Sequence, residues 1–158
     1  MVIYYSWKGH TKVYARELAA LSQDTAFELT EQKKRSGVWG FISGCYQGIA
    51  KKETPVTNMP DLSKANEIFV CSPIWAAGIA PAVRYFINHA ELDGIKVNFL
   101  LTCSNISQHE DFRKSALDAL SGTKAIQGAA YVFAGSMKNE PDIETVKSHI
   151  KKVILGVD

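Results

Sequence analysis

The chain has 158 residues, of which 46% are hydrophobic and 22% charged, so we predict one globular domain spanning 1–158. Its 18 basic and 16 acidic side chains leave a net charge of +2, which indicates neither a nucleic acid nor an anionic membrane as partner. Three widely spaced cysteines argue against a disulfide framework or a metal site and predict a cytoplasmic location, and no apolar stretch is long enough to span a membrane.

In the first half of the chain, apolar runs alternate with segments of helical period, which is typical of strands and helices around a parallel sheet. Residues 2–5 predict a first buried strand, followed by a helix with Val13, Leu18 and Leu21 on its inner face. Residues 25–30 predict a second strand and 68–71 a third, bounded by Pro73. The intervening stretch, about 31–60, is longer than a usual connection. We interpret it as an insertion with a short helix near 41–51 and an extended segment at 55–60.

The second half continues the alternation. Pro81 suits the first turn of a helix, and residues 97–102 predict the fourth strand. Ser107 and Glu110 have the spacing of a capping box that starts the next helix. Residues 129–134 predict the fifth strand, and Pro141 precedes a last helix whose apolar residues include Ile143, Val146, Ile150, Val153 and Ile154. Five strands with helices between them predict a doubly wound α/β sheet covered on both faces.

The strongest local signal lies between the first strand and the first helix. A helix N-terminus offers unpaired amide groups and a favourable dipole to an anion, and a glycine lets the backbone curl around it. The segment carries hydroxyl donors as well, but it matches neither a Walker A motif nor the G-x-G-x-x-G of a dinucleotide site. An ordinary polar turn with Thr11 as N-cap is the alternative. The residues are Ser6, Trp7, Lys8, Gly9, His10 and Thr11.

A second segment, 72–81, follows the third strand and reads S-P-I-W-A-A-G-I-A-P. Together the two segments resemble flavodoxins: the first is similar to their FMN phosphate loop, S-x-T-G-N/H-T, and the second to their P-x-W segment before a helix. The resemblance implies a three-layer α/β/α fold with a five-stranded parallel sheet of order 2-1-3-4-5. It also implies noncovalent FMN binding where the two segments meet, at the carboxyl ends of the strands.

The resemblance also implies roles for individual residues. Trp75 would stack on the flat isoalloxazine ring, with Trp7 as the second candidate. Gly78, or the peptide between Ala76 and Ala77, would present a carbonyl to flavin N5. The glycine-rich third loop of the family is absent here, so ring contact and an ordinary strand end remain equal alternatives for that loop. The residues of the second and third segments are Pro73, Ile74, Trp75, Ala76, Ala77, Gly78, Thr102, Cys103, Ser104 and Asn105.

Within this interpretation the function is electron transfer, either as a flavodoxin-type carrier serving a partner protein or as an NAD(P)H-dependent quinone reductase acting on a small acceptor. Residues 72–81 and 102–107 contain no Asp or Glu, unlike the acidic surroundings of the ring in a low-potential carrier, and this leaves room for the reductase. No catalytic acid or base is predicted, because the cofactor carries the chemistry. A receiver module is excluded by the missing acidic residues, and a flavin-free interaction domain remains an alternative.

Overall fold

The computed structural model describes residues 1–32, 52–76, 78–104, 107–134 and 141–156. Their centre is a sheet in which five parallel strands lie in the order β2-β1-β3-β5-β6, and a short strand, β4, pairs antiparallel with the end of β3. In chain order the strands are β1 (Val2–Tyr4), β2 (Ala26–Glu28), β3 (Glu67–Trp75), β4 (Gly78–Ile79), β5 (Lys96–Cys103) and β6 (Ile126–Ala134). Counting the five parallel strands along the chain gives 2-1-3-4-5, so the predicted fold and strand order are confirmed.

Helices cover both faces of the sheet. Alternate residues of a strand point to opposite faces, and the two hydrophobic cores divide accordingly. Ile3 and Phe99 pack on one side of the sheet, and Val2 and Leu100 on the other. The helices are α1 (His10–Leu21), α2 (Pro81–His89), α3 (His109–Asp118) and α4 (Ile143–Leu155), of which α2 and α3 share the core of Ile3 while α1 and α4 share that of Val2.

Strand β3 is longer than the sequence indicates. It was expected to stop before Pro73, but it continues to Trp75. The peptide groups of Phe69 and Cys71 bond to the β1 side, where Cys71 accepts from the amide of Tyr5, so Pro73, two residues further, faces that side too. Strand β1 ends at Tyr4 and the last described bond on that side comes from the Tyr5 amide, so Pro73 lies at the end of this ladder, where a strand tolerates a missing N–H.

Two further expectations need correction. The capping box of Ser107 and Glu110 is wrong: α3 begins at His109 with Gln108 as its N-cap, because the amide of Phe112 bonds to the Gln108 carbonyl at 3.1 Å. In α1, Leu21 was expected on the inner face, but its side chain is 43% exposed. The buried residues of that helix are Thr11, Tyr14, Ala15, Leu18 and Ala19.

The connection between β2 and β3 is described at both of its ends. Glu31 and Val56 form an antiparallel bridge, and the amide of Thr57 donates to the Thr30 carbonyl at 2.8 Å. The chain at 55–58 therefore runs beside the end of β2, as an extended segment would. The helix predicted near 41–51 lies outside the described residues.

Candidate functional site

A cavity of about 190 Å³ opens at the carboxyl ends of β1, β3 and β5. In this strand order β1 and β3 are adjacent but their connections leave on opposite faces, which is the switch point where open α/β sheets bind ligands. Its lining residues are Ser6, Trp7, Lys8, His10, Thr11, Tyr14, Pro73, Ile74, Trp75, Ala76, Thr102, Cys103 and Ser104.

The first wall is the turn from β1 into α1. Gly9 is the N-cap, with a φ of 93°, and its amide donates to Ser6 Oγ at 3.1 Å. The first helical hydrogen bond runs from the amide of Val13 to the Gly9 carbonyl, so the amides of residues 10–12 have no acceptor within the helix. No acidic side chain lies in this first turn. The N-terminus of α1 therefore presents donors and a positive dipole to the cavity.

Two threonines join the first wall to β5. Thr11 Oγ1 and Thr102 Oγ1 are 2.9 Å apart, and the residues are 1% and 7% exposed. Thr11 is thus not the N-cap of α1 but a buried residue in its first turn. Because the pair spans from α1 to the middle of the sheet, it fixes the helix N-terminus relative to the end of β5.

The second wall is aromatic. Trp75 is 5% exposed and meets Tyr5 and Trp7 edge to face, with ring centroids 5.8 Å and 6.0 Å away. The tryptophan expected on a loop is therefore part of a strand and of the core, and it reaches the cavity from inside. Lys8 is exposed, and its Nζ lies 4.9 Å from the centroid of the Trp7 ring, which places a cation at the rim.

The segment after Trp75 is a tight hairpin. Trp75 pairs with Gly78 and Ile74 with Ile79 in antiparallel orientation. Ala76 has a φ of 48°, a left-handed conformation that costs a residue with a Cβ about 1–2 kcal/mol. Gly78, one of the two candidates for presenting a carbonyl to the flavin, is a residue of β4.

The floor of the cavity includes Tyr14, which the sequence interpretation missed. Its hydroxyl lies 2.9 Å from His149 Nδ1, and Phe133 stacks between α1 and α4 against both rings. Burial raises the pKa of Tyr14 to about 12 and lowers the pKa of His149. The available signal was helical spacing, because Tyr14 lies one turn after Thr11 on the same face.

Of the predicted residues that the structure describes, all but Gly9 and Gly78 line the cavity. Gly9 is the N-cap beside it, and Ala77 and Asn105 lie outside the described residues. The lining contains Lys8 and His10 but, within the described ranges, no carboxylate. Cys103 is the last residue of β5, and its Sγ lies 3.7 Å from the Phe133 carbonyl.

The described part of the chain contains no cluster of three or more His, Cys, Asp or Glu side chains placed to hold a metal ion. None of the described helices combines the length and apolar character that crossing a bilayer requires.

No protein-family model and no curated protein matches the sequence. Solved structures are similar in fold. A candidate flavoprotein of Bacteroides uniformis has a TM-score of 0.74 and 22% identity over 96% of this chain and 97% of its own. A flavoprotein of Lactobacillus acidophilus, in complex with FMN, has a TM-score of 0.65 and 19% identity over 82% and 90%. Oxidised flavodoxin 1 of Bacillus cereus has a TM-score of 0.51 and 11% identity over 99% and 97%. The chain therefore has the flavodoxin-like fold.

Proposed function

We propose that this protein binds FMN noncovalently in the cavity and transfers electrons through it. The observation that carries the proposal is the meeting, in one cavity, of an acid-free helix N-terminus with a wall of indole rings. The first suits a phosphate group and the second a flat apolar ring, and FMN joins both in one molecule. A structure of this fold in complex with FMN supports the choice of cofactor.

The residues fit the phosphate end of FMN. The amides of residues 10–12 and the hydroxyls of Ser6 and Thr11 are donors at one end of the cavity, and the dipole of α1 favours a dianion there. A carboxylate in the same place would repel the phosphate, and the described lining has none.

The residues also fit the ring. Trp75 and Trp7 offer aromatic surface to the same cavity, and Ala76 and Ser104 would add backbone groups for the polar edge of the ring. A volume of about 190 Å³ is below the roughly 300–1,000 Å³ of a closed ligand pocket. Part of the flavin would therefore face solvent, where a second redox molecule can approach it.

Bound FMN would supply the redox chemistry itself, and the protein would bind, orient and tune it. Electron carriage is our first proposal, with a redox partner protein or a small molecule as acceptor and the cytoplasm as location. The acid-free lining with Lys8 at the rim favours a second candidate, an NAD(P)H-dependent quinone reductase. A positive rim stabilises a reduced, negatively charged flavin, which suits the delivery of two electrons.

The test is a titration of the purified protein with FMN, followed by quenching of flavin fluorescence, with riboflavin as the matched ligand that lacks the phosphate. We expect FMN to bind and to bind more tightly than riboflavin. No binding of FMN would leave the flavin-free interaction domain as the better interpretation. Reduction followed by absorbance then separates the functions: an accumulating half-reduced flavin indicates the carrier, and NAD(P)H oxidation coupled to quinone indicates the reductase.

A further inference from the structure

We propose that Thr102 is a positioning residue that directs the Thr11 hydroxyl toward the phosphate of FMN, rather than a residue that contacts the flavin ring. The proposal rests on the proposed function, because it needs a phosphate at the N-terminus of α1. It departs from the expectation that Thr102 belongs to the ring-binding segment.

The geometry restricts what these two hydroxyls can do. Their oxygens are 2.9 Å apart and both residues are buried. Each hydroxyl has one hydrogen to donate and two lone pairs, so only one of the two donates to the other. Whichever donates inside the pair leaves its partner free to donate elsewhere.

A phosphate decides between the two directions. A phosphate dianion has no hydrogen to donate and only accepts hydrogen bonds, so Thr11 must give its hydrogen to the phosphate. Thr102 must then give its own hydrogen to Thr11, and the donor chain runs from Thr102 through Thr11 to the phosphate. Such a chain is polarised in one direction, which strengthens each of its bonds. Thr102 has no hydrogen left for the cofactor.

Without Thr102, Thr11 loses the group that fixes its orientation. A threonine in a helix has two common side-chain rotamers, one of which turns the hydroxyl back toward the preceding turn. If the hydroxyl is left free among three staggered positions, the loss is about threefold in affinity, since one orientation in three points to the phosphate. The loss concerns the phosphate, because the single hydrogen of the Thr102 hydroxyl is given to Thr11 and not to another part of FMN.

The experiment compares affinities for FMN and riboflavin in the wild-type protein, Thr102→Val and Thr102→Ser. We expect Thr102→Val to reduce the FMN-to-riboflavin affinity ratio about threefold or more, mainly by weakening FMN, and Thr102→Ser to restore the ratio. Thermal unfolding without ligand measures the structural role separately. If Thr102→Val does not fold, Thr102→Ala provides the same comparison.

A double-mutant cycle completes the test. In a Thr11→Val background the further change Thr102→Val should leave the ratio unaltered, because the group through which Thr102 acts is gone. The proposal would be overturned if Thr102→Val weakened the binding of FMN and of riboflavin equally. It would also be overturned if Thr102→Val lowered the affinity ratio as much in the Thr11→Val background as in the wild-type protein. A wild-type protein that binds FMN no better than riboflavin would instead contradict the proposed function.

Discussion

The two ends of the central sheet are built differently. At the amino end, charges and amides satisfy one another: Glu67 Oε1 accepts from Lys96 Nζ at 3.0 Å and from Asn98 Nδ2 at 2.7 Å. At the carboxyl end, the amides of residues 10–12 lack helical acceptors, and neither the first turn of α1 nor the described cavity lining contains a carboxylate. Buried polar groups are normally paired, and this contrast between the ends is why we propose the ligand at the carboxyl end.

An irregularity in the pairing of β5 with β6 shows how closely the amino end of the sheet is packed. The register of β5 with β6 breaks between Val97 and Phe99, and Asn98 Oδ1 accepts from the amide of Ala129 at 2.9 Å. A Cβ on Gly128 would lie 2.3 Å from Asn98 Oδ1 and 2.8 Å from the Val97 carbonyl. This end therefore contributes to stability. Substitutions there should change the free energy of unfolding, whereas substitutions at the cavity should change the affinity for FMN.

The largest expected effect is the loss of FMN binding in Gly9→Glu. Nothing lies within 4 Å of a Cβ at Gly9, so the carboxylate can enter the space of the phosphate, where like charges about 4 Å apart repel by about 4 kcal/mol at an effective dielectric of 20. We expect at least about a 100-fold loss in a fluorescence titration. Gly94→Glu is the matched control, because Gly94 has a φ of 72°, open space and a place at the amino end. A comparable loss of affinity in Gly94→Glu would contradict the division between the ends.

Gly128→Ala should lower the stability of the protein and leave its affinity for FMN unchanged. The new methyl group forces Asn98 and the backbone of Val97 apart, and overpacking of this kind costs about 1–3 kcal/mol in the free energy of unfolding. FMN affinity of the folded protein should stay unchanged. Gly122→Ala is the control, since a Cβ there has nothing within 4 Å. Denaturant unfolding measures the first quantity and titration the second.

Two residues with a left-handed backbone conformation allow a comparison in which the expected effects are smaller. Gln23, after the end of α1, has a φ of 54°, and Ala76, in the cavity hairpin, has a φ of 48°. Glycine relieves this strain but adds freedom to the unfolded chain, so each change to glycine should stabilise by about 0.5–1 kcal/mol. Only Ala76→Gly should also weaken FMN binding, by a few-fold, because it loosens a wall of the cavity. Equal affinities in the two variants would show that the hairpin does not contribute to the site.

The alternation of short apolar runs with helical patterns predicted the doubly wound α/β sheet, and the resemblance of two segments to flavodoxins implied the strand order. It predicted most of the cavity because turns at the carboxyl ends of parallel strands converge in space. It missed the extension of β3 through Pro73, since the harmless orientation of that missing N–H depends on where β1 ends. Tyr14 was missed because the interpretation of the first segment stopped at Thr11, although a spacing of three residues places both side chains on one helix face. What no local pattern could indicate is its contact with His149, 135 residues away.

As the pH falls, the two ends of the sheet should lose their contributions to the free energy of unfolding in different pH ranges. Burial lowers the pKa of His149 below its ordinary value of about 6.5, so the unfolded chain takes up a proton first, and stability falls as pH decreases from about 7 to 5. At the amino end, hydrogen bonds from Lys96 and Asn98 lower the pKa of Glu67, so its contribution is kept until the pH falls below the ordinary carboxyl range near 4.5. Urea unfolding across pH should therefore show a first loss that His149→Gln reduces and a later loss that Glu67→Gln reduces. If His149→Gln left the pH dependence of the unfolding free energy between about pH 5 and 7 unchanged, the half-buried pair of Tyr14 and His149 would not be the acid-sensitive element of the carboxyl end.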